Sequence, residues 1–199
     1  MQLATLKWPT DGTDNAEFPS VRTVVFRGFL GQEWVDGDQD KTADSNYLTF
    51  VTDSRSSKVQ ELLASGGKCE ICWYFPQTWE QYRLTGRMRL ILPPGPVDTS
   101  TEDLAPQFIA KTKRQQYREK LWDRMSLSTR QGFLGPPPGS LLAEGGSAGG
   151  ERSDDGYNAF TCMVFESEHV DYLLLGKEQA RESFHCNGHG EWTNQAVHP

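Results

Sequence analysis

Four cations set among hydroxyls are the residues of this 199-residue chain best placed to do chemistry. Arg55 and Lys58 flank Ser56 and Ser57, just after Ser54, where a strand pattern gives way to a helical one. A helix start offers N–H groups without partners and the positive end of the helix dipole. Cations and hydroxyls beside it suit a phosphate. Arg22 and Arg27 lie five apart in a β-branched strand, so they are expected to point to opposite faces. The same residues also suit a plain capped helix with a solvated basic face, and pattern alone does not separate the two.

The other candidates are weaker. Cys69-x-x-Cys72 with Cys186-x-x-His189 has the composition of a zinc site. Residues three apart on a strand face opposite sides, however, so Cys69 and Cys72 are expected to pack as small apolar groups, with no metal. His169, His185, His189 and His198 show no nucleophile or acid at a helpful spacing. Trp73, Tyr74, Phe75 and Trp79 form an aromatic cluster that reads either as core or as the wall of a flat-ring pocket.

These residues need elements to hold them. Leu3–Trp8, Val21–Arg27 (ending at Gly28), Tyr47–Thr52, Cys69–Phe75 and Gln81–Ile91 read as strands, rich in β-branched or alternating residues. Val59, Leu62 and Leu63 recur as the stripe of a short helix, capped by Asp53 or Ser54 and stopped by Gly66-Gly67. A polar connection precedes Glu17, and 31–45 reads as a surface loop. A helical stretch is predicted over roughly 102–124, with its register interrupted at Pro106, and a low-complexity mobile loop over about 135–157. Ala159–Phe165 reads as a strand, His169–Leu175 as a strand or helical turn, and a last strand falls near Trp192. Several antiparallel strands with one short helix predict a mainly β fold, a small barrel with peripheral helices, in a single domain spanning 1–199.

Composition sets limits. The net charge of -7 argues against a nucleic-acid partner. No run of about 18 apolar residues predicts a membrane helix, the first residues do not read as a secretory signal, and four cysteines do not suggest a disulfide scaffold. A cytoplasmic setting is the expectation.

Taken together, Arg22–Gly28, Leu48–Lys58, Trp73–Pro76 and Gln81–Gly86 resemble, in order and spacing, the FMN-binding core of the pyridoxamine-5'-phosphate-oxidase-like family. Leu121-Trp122 and Gly135–Gly139 are similar to a less characterised FMN-binding subfamily of it. The resemblance is strong to Ile91 and weaker beyond. It implies a six-stranded antiparallel split barrel that forms a homodimer, with FMN in two clefts at the interface. It implies that Arg22 and Lys58 hold the FMN phosphate, that Val24, Val25 and Arg27 run along the flavin ring, and that Val51, Thr52 and Gln81 contact the cofactor. Arg55 would replace a cation that the oxidases carry at the position of Ser57, and Arg181 would reach the partner's FMN. The oxidases' Arg-x-His pair has no match in Gln179-Ala180-Arg181-Glu182, and Leu173 stands where a tryptophan is expected. Members usually carry a helix before the first strand, so a shortened start is a further expectation. The function implied is a flavin-dependent oxidoreductase of unknown substrate, or else a flavin-binding module without turnover.

Overall fold

The computed structural model describes residues 1–7, 17–31, 45–95, 102–141, 156–188 and 190–199. Its strands are β1 (Gln2–Lys7), β2 (Phe18–Thr23), β3 (Gly28–Phe29), β4 (Leu48–Asp53), β5 (Lys68–Phe75), β6 (Glu80–Ile91), β7 (Phe160–Leu174), β8 (Ala180–Cys186) and β9 (Trp192–Val197). The helices are α1 (Ser57–Ala64), α2 (Lys111–Arg124) and α3 (Leu127–Gln131). All pairings are antiparallel, in the order β2-β1-β5-β6-β7-β4-β3, with β8 on β7 and β9 on β8.

The fold is mainly β, as expected, but among the described residues the sheet has nine strands rather than six and no ladder closes it. The reason lies at 24–27. The expected strand Val21–Arg27 ends at Thr23 because the chain there changes partners. Val24 N–H donates to Met1 O (3.0 Å), whereas Arg27 N–H donates to Thr49 O (2.9 Å). The segment thus steps from the β1 edge to the β4 edge and bridges the barrel without joining either ladder.

The 15-residue β7 is the spine. Its first half pairs with β4 and its second half with β8, along the same edge, so the sheet splits there. Met163 and Phe165 point into the barrel core with Leu3, Phe50, Ile71, Met88 and Leu90. Phe160, Cys162 and Val164 point out into a second core under α2 and Phe133. Burial on both faces explains the near-continuous apolar run in this half of the strand. A β-bulge between Thr85 and Gly86 bends β6 against β7. Gly86 is required at that bend, since a Cβ would come within 2.1 Å of Glu166 O.

Helix α1 closes one end of the barrel through Val59 and Leu62, each burial contributing roughly 1.5–3 kcal/mol. Its N-cap is Ser56 rather than Asp53 or Ser54; the Ser56 hydroxyl donates to Asp53 O (2.7 Å) and makes no cap bond. It ends in a Schellman turn, with Gly67 N–H on Leu62 O (2.8 Å), Gly66 N–H on Leu63 O (3.4 Å) and Gly66 at φ +64. The expected 102–124 helix is regular only over Lys111–Arg124, after the break at Pro106. Of the expected 135–157 loop, 142–155 lie outside the described residues, as do Trp8 and most of 31–45.

Candidate functional site

The strongest assembly of predicted residues lies where β4 runs into α1. Lys58 Nζ donates to Thr52 Oγ1 (2.9 Å), and Thr52 Oγ1 lies 3.4 Å from Ser56 Oγ. Burial, and next the charge of Arg22, push the Lys58 ammonium below the ordinary lysine range. Arg22 arrives from β2 and is anchored by Glu61 of α1, the Thr5 hydroxyl, Ser20 O (3.0 Å) and Ser20 Oγ (2.6 Å). Glu61 is buried, so the pair holds both side chains in place. Thr161, opposite Thr52 on β7, is fully buried and its hydroxyl has no hydrogen-bond partner among the described residues. Two cations and a set of hydroxyls therefore converge beside a helix N-terminus.

The neighbouring predicted residues differ. Arg55 forms a two-pronged pair with Asp53 (2.9 and 2.6 Å) and donates to Phe133 O (3.3 Å) and Gly135 O (3.0 Å). It ties α1's approach to the turn after α3, and the Asp53 hydrogen bond raises its already high pKa. Ser57 is exposed. Val24 is 8% exposed and packs in the barrel core, so its side chain is not available to a ligand, whereas Val25 is 60% exposed. Arg27 and Val51 line a separate cavity of about 480 Å³, roofed by Leu121, Arg124, Met125, Ser126 and Thr129.

Gln81 and Arg181 lie elsewhere. They flank Leu173 in one cross-strand row of β6, β7 and β8. Arg181 holds Asp171 through two bonds (2.8 and 2.7 Å), and Arg83 binds the same carboxylate. Those hydrogen bonds, Arg181's first, hold Asp171 down to about 2. Within one chain the structure gathers Arg22, Thr52 and Lys58, places Arg27 and Val51 beside the cavity, and leaves Gln81 and Arg181 on a different part of the sheet.

Residues 1–92 match the family model described as pyridoxamine 5'-phosphate oxidase, FMN-binding domain. Over 187 residues the chain is 36% identical to pyridoxine/pyridoxamine 5'-phosphate oxidase 2 of Arabidopsis thaliana, covering 91% of this chain and 81% of that protein. The chain belongs to this FMN-binding family. A pyridoxamine 5'-phosphate oxidase-related, FMN-binding protein of Nostoc punctiforme has a similar structure, at TM-score 0.71 and 33% identity over 100% of this chain and 87% of that one. PhzG of Burkholderia lata, solved with tetrahydrophenazine-1-carboxylic acid, shares the fold at TM-score 0.61 and 15% identity, covering 99% of this chain and 81% of that one.

The cofactor of this oxidase-like family member is FMN, and the chain's own chemistry fits it. The half-buried Lys58 donates to a hydroxyl rather than to a carboxylate, and among the described residues the hydroxyl of Thr161, the cross-strand neighbour of Thr52, lacks a partner. A phosphate dianion would supply the acceptors that this corner is short of. The family is visible in the sequence as a linear pattern, but Glu61 and the α2–α3 roof were not part of that reading. Glu61 had a signal, since it follows Lys58 by three on α1 and so lies on the same side. Arg124, Ser126 and Thr129 had none, because only the fold carries them to β4.

Proposed function

We propose that the protein is an FMN-dependent oxidoreductase that works as a homodimer, in a cytoplasmic setting. In this reading Arg22 and Lys58 bind the cofactor's phosphate, with Thr52 orienting Lys58. Arg27, exposed at the edge of the neighbouring cavity, stabilises negative charge beside the ring. Bound FMN would supply hydride transfer, and no side chain need act as acid or base. Gln81 and Arg181 of a second copy would complete each site, which gives a role to a row that one chain leaves apart from the corner.

The observation that carries the enzyme reading is the cavity of about 480 Å³ beside Arg27 and Val51, which leaves room for a second molecule. Arg27 and Arg124, with the Ser126 and Thr129 hydroxyls, suit an anionic group on that molecule. The Arabidopsis relative's name makes a vitamin B6 5'-phosphate the first compound to try. The engagement of Arg181 with Asp171 favours the second reading, a flavin-binding module without turnover, since β8 then offers that substrate little positive charge.

Anaerobic reduction of the FMN-loaded protein by NADPH or by pyridoxine 5'-phosphate, followed by admission of oxygen, tests the proposal. Bleaching and recovery of the flavin absorbance on the time scale of turnover supports the oxidoreductase. A flavin that no donor of either class bleaches supports the module. Light scattering on the eluting protein tests the dimer, which a monomer that retains FMN would exclude.

A further inference from the structure

A mainly apolar recess lies away from the cofactor corner. Where β7 changes partner from β4 to β8, the two branches of the sheet separate, and the interior of the barrel opens into a cleft of about 620 Å³. Trp73 and Phe75 of β5, Tyr82 of β6, Phe184 of β8 and Trp192 of β9 wall it. The rings form a continuous surface, with Trp73 and Phe75 centroids 4.8 Å apart and Phe75 and Tyr82 5.8 Å apart at 86°. None of the residues named for the cofactor lines this cleft.

Its charge is the opposite of the corner's. Among the described residues, Glu80 is the one charged residue in its lining. The Glu80 carboxylate accepts from Tyr172 Oη (3.1 Å) and Tyr82 Oη (3.4 Å), which fixes it at the edge of the aromatic wall. Hydrogen bonds from Thr78 and Tyr172 hold its pKa below the usual carboxylate range, so it is ionised at neutral pH. Aromatic faces attract cations, and flat rings stack on them with an offset. An anion would meet Glu80 and, among the described lining residues, no compensating cation.

We infer that this cleft is a second small-molecule site, for a flat apolar ligand carrying a protonated amine that pairs with Glu80 while its ring lies on the Trp73–Phe75–Tyr82 wall. The volume is that of ordinary small-ligand pockets, roughly 300–1,000 Å³. The site is independent of the flavin chemistry proposed above.

The test uses FMN-loaded full-length protein and three probes of one shape: 2-naphthylmethylamine, 2-naphthalenemethanol and 2-naphthoate, followed by titration calorimetry. Saturable binding of the amine, one per chain, with the alcohol weaker and the naphthoate undetected, is the expected result. Glu80→Gln should bring the amine about fivefold down, toward the alcohol, while leaving the alcohol unchanged. Trp192→Ala, at an exposed position, should weaken both. The inference is overturned if naphthoate binds as well as the amine, if Glu80→Gln changes nothing, or if excess FMN displaces the probe. It is equally overturned if no probe binds, as would happen were a second copy of the chain to cover the cleft.

Discussion

The β4–α1 corner and the β6–β8 arm each set basic side chains against buried carboxylates, yet they are prepared for different ends. On the arm, Arg83 and Arg181 both close on Asp171, so the charges largely cancel. At the corner Arg22 is paired with Glu61 and Arg55 with Asp53, while the half-buried Lys58 meets a hydroxyl. A positive patch alone does not mark an anion site; what matters is how much of its charge the protein has already answered. The corner keeps one cation in reserve in a place that penalises it, and a phosphate bound there, as proposed, would relieve that penalty.

The largest effect should come from breaking the corner's own pair. Arg22→Met leaves Glu61 buried without its partner and is expected to cost about 3 kcal/mol of folding stability, along with FMN binding. Urea unfolding of the cofactor-stripped protein measures the first part separately. If Arg22→Met were as stable as the parent, the pair would not be the anchor described here.

Lys58→Met should separate binding from stability. The loss of a charge-assisted contact is worth about 1.5–3 kcal/mol, or roughly 10- to 150-fold in the dissociation constant for FMN. Unfolding of the stripped variant should change little, since a penalised charge has been removed. The same residue predicts a pH dependence. Its pKa is lowered in the protein without cofactor, and a bound phosphate would raise it again, so affinity should fall as pH rises through the lowered value. Lys58→Arg should remove that alkaline fall, because arginine stays charged. Fluorescence titration across alkaline pH reads both, and an unaltered profile in Lys58→Arg would assign the pH dependence to another group.

Asp171→Asn tests the arm. Asp171 titrates at about 2 when folded, below its ordinary value of about 3.9, so its contribution is full above about pH 4 and is lost as pH falls toward about 2. The two arginines are 41% and 32% exposed, so solvent screening reduces the effect to about 1 kcal/mol. The parent should exceed the variant in urea midpoint near neutrality, and the gap should narrow in acid. A gap that widened in acid would reverse the assignment.

The contrast also explains what could be read from residues alone. The corner is built mainly from one continuous stretch, Leu48–Lys58, in which alternation, a run of hydroxyls and a helix stripe follow one another, and local rules read such a stretch well. The arm escaped because Ala180–Cys186 mixes small, charged and aromatic residues with no clean alternation, and most of them remain half-exposed. The division of Val21–Arg27 escaped for another reason: β-propensity records that a residue suits an extended chain, not which neighbour it bonds. Arg181 could be named as basic, but its capture by Asp171 depends on the β7–β8 register, which no local pattern contains.

The smallest effect should be at Ser57, and it sharpens the comparison most directly. Ser57 is exposed at the first turn of α1, beside Lys58. If the corner already binds phosphate through Arg22 and Lys58, Ser57→Ala should change FMN affinity by less than about twofold, in keeping with an exposed substitution worth under 0.5 kcal/mol. Ser57→Arg would add a solvated cation at the helix start, and a gain of about two- to fivefold that shrinks in high salt is expected. A gain confined to low salt would mean that the corner accepts further charge only from outside. A tenfold loss in Ser57→Ala would instead give the phosphate a direct hydroxyl contact at Ser57, and Arg22 and Lys58 alone would no longer account for the site.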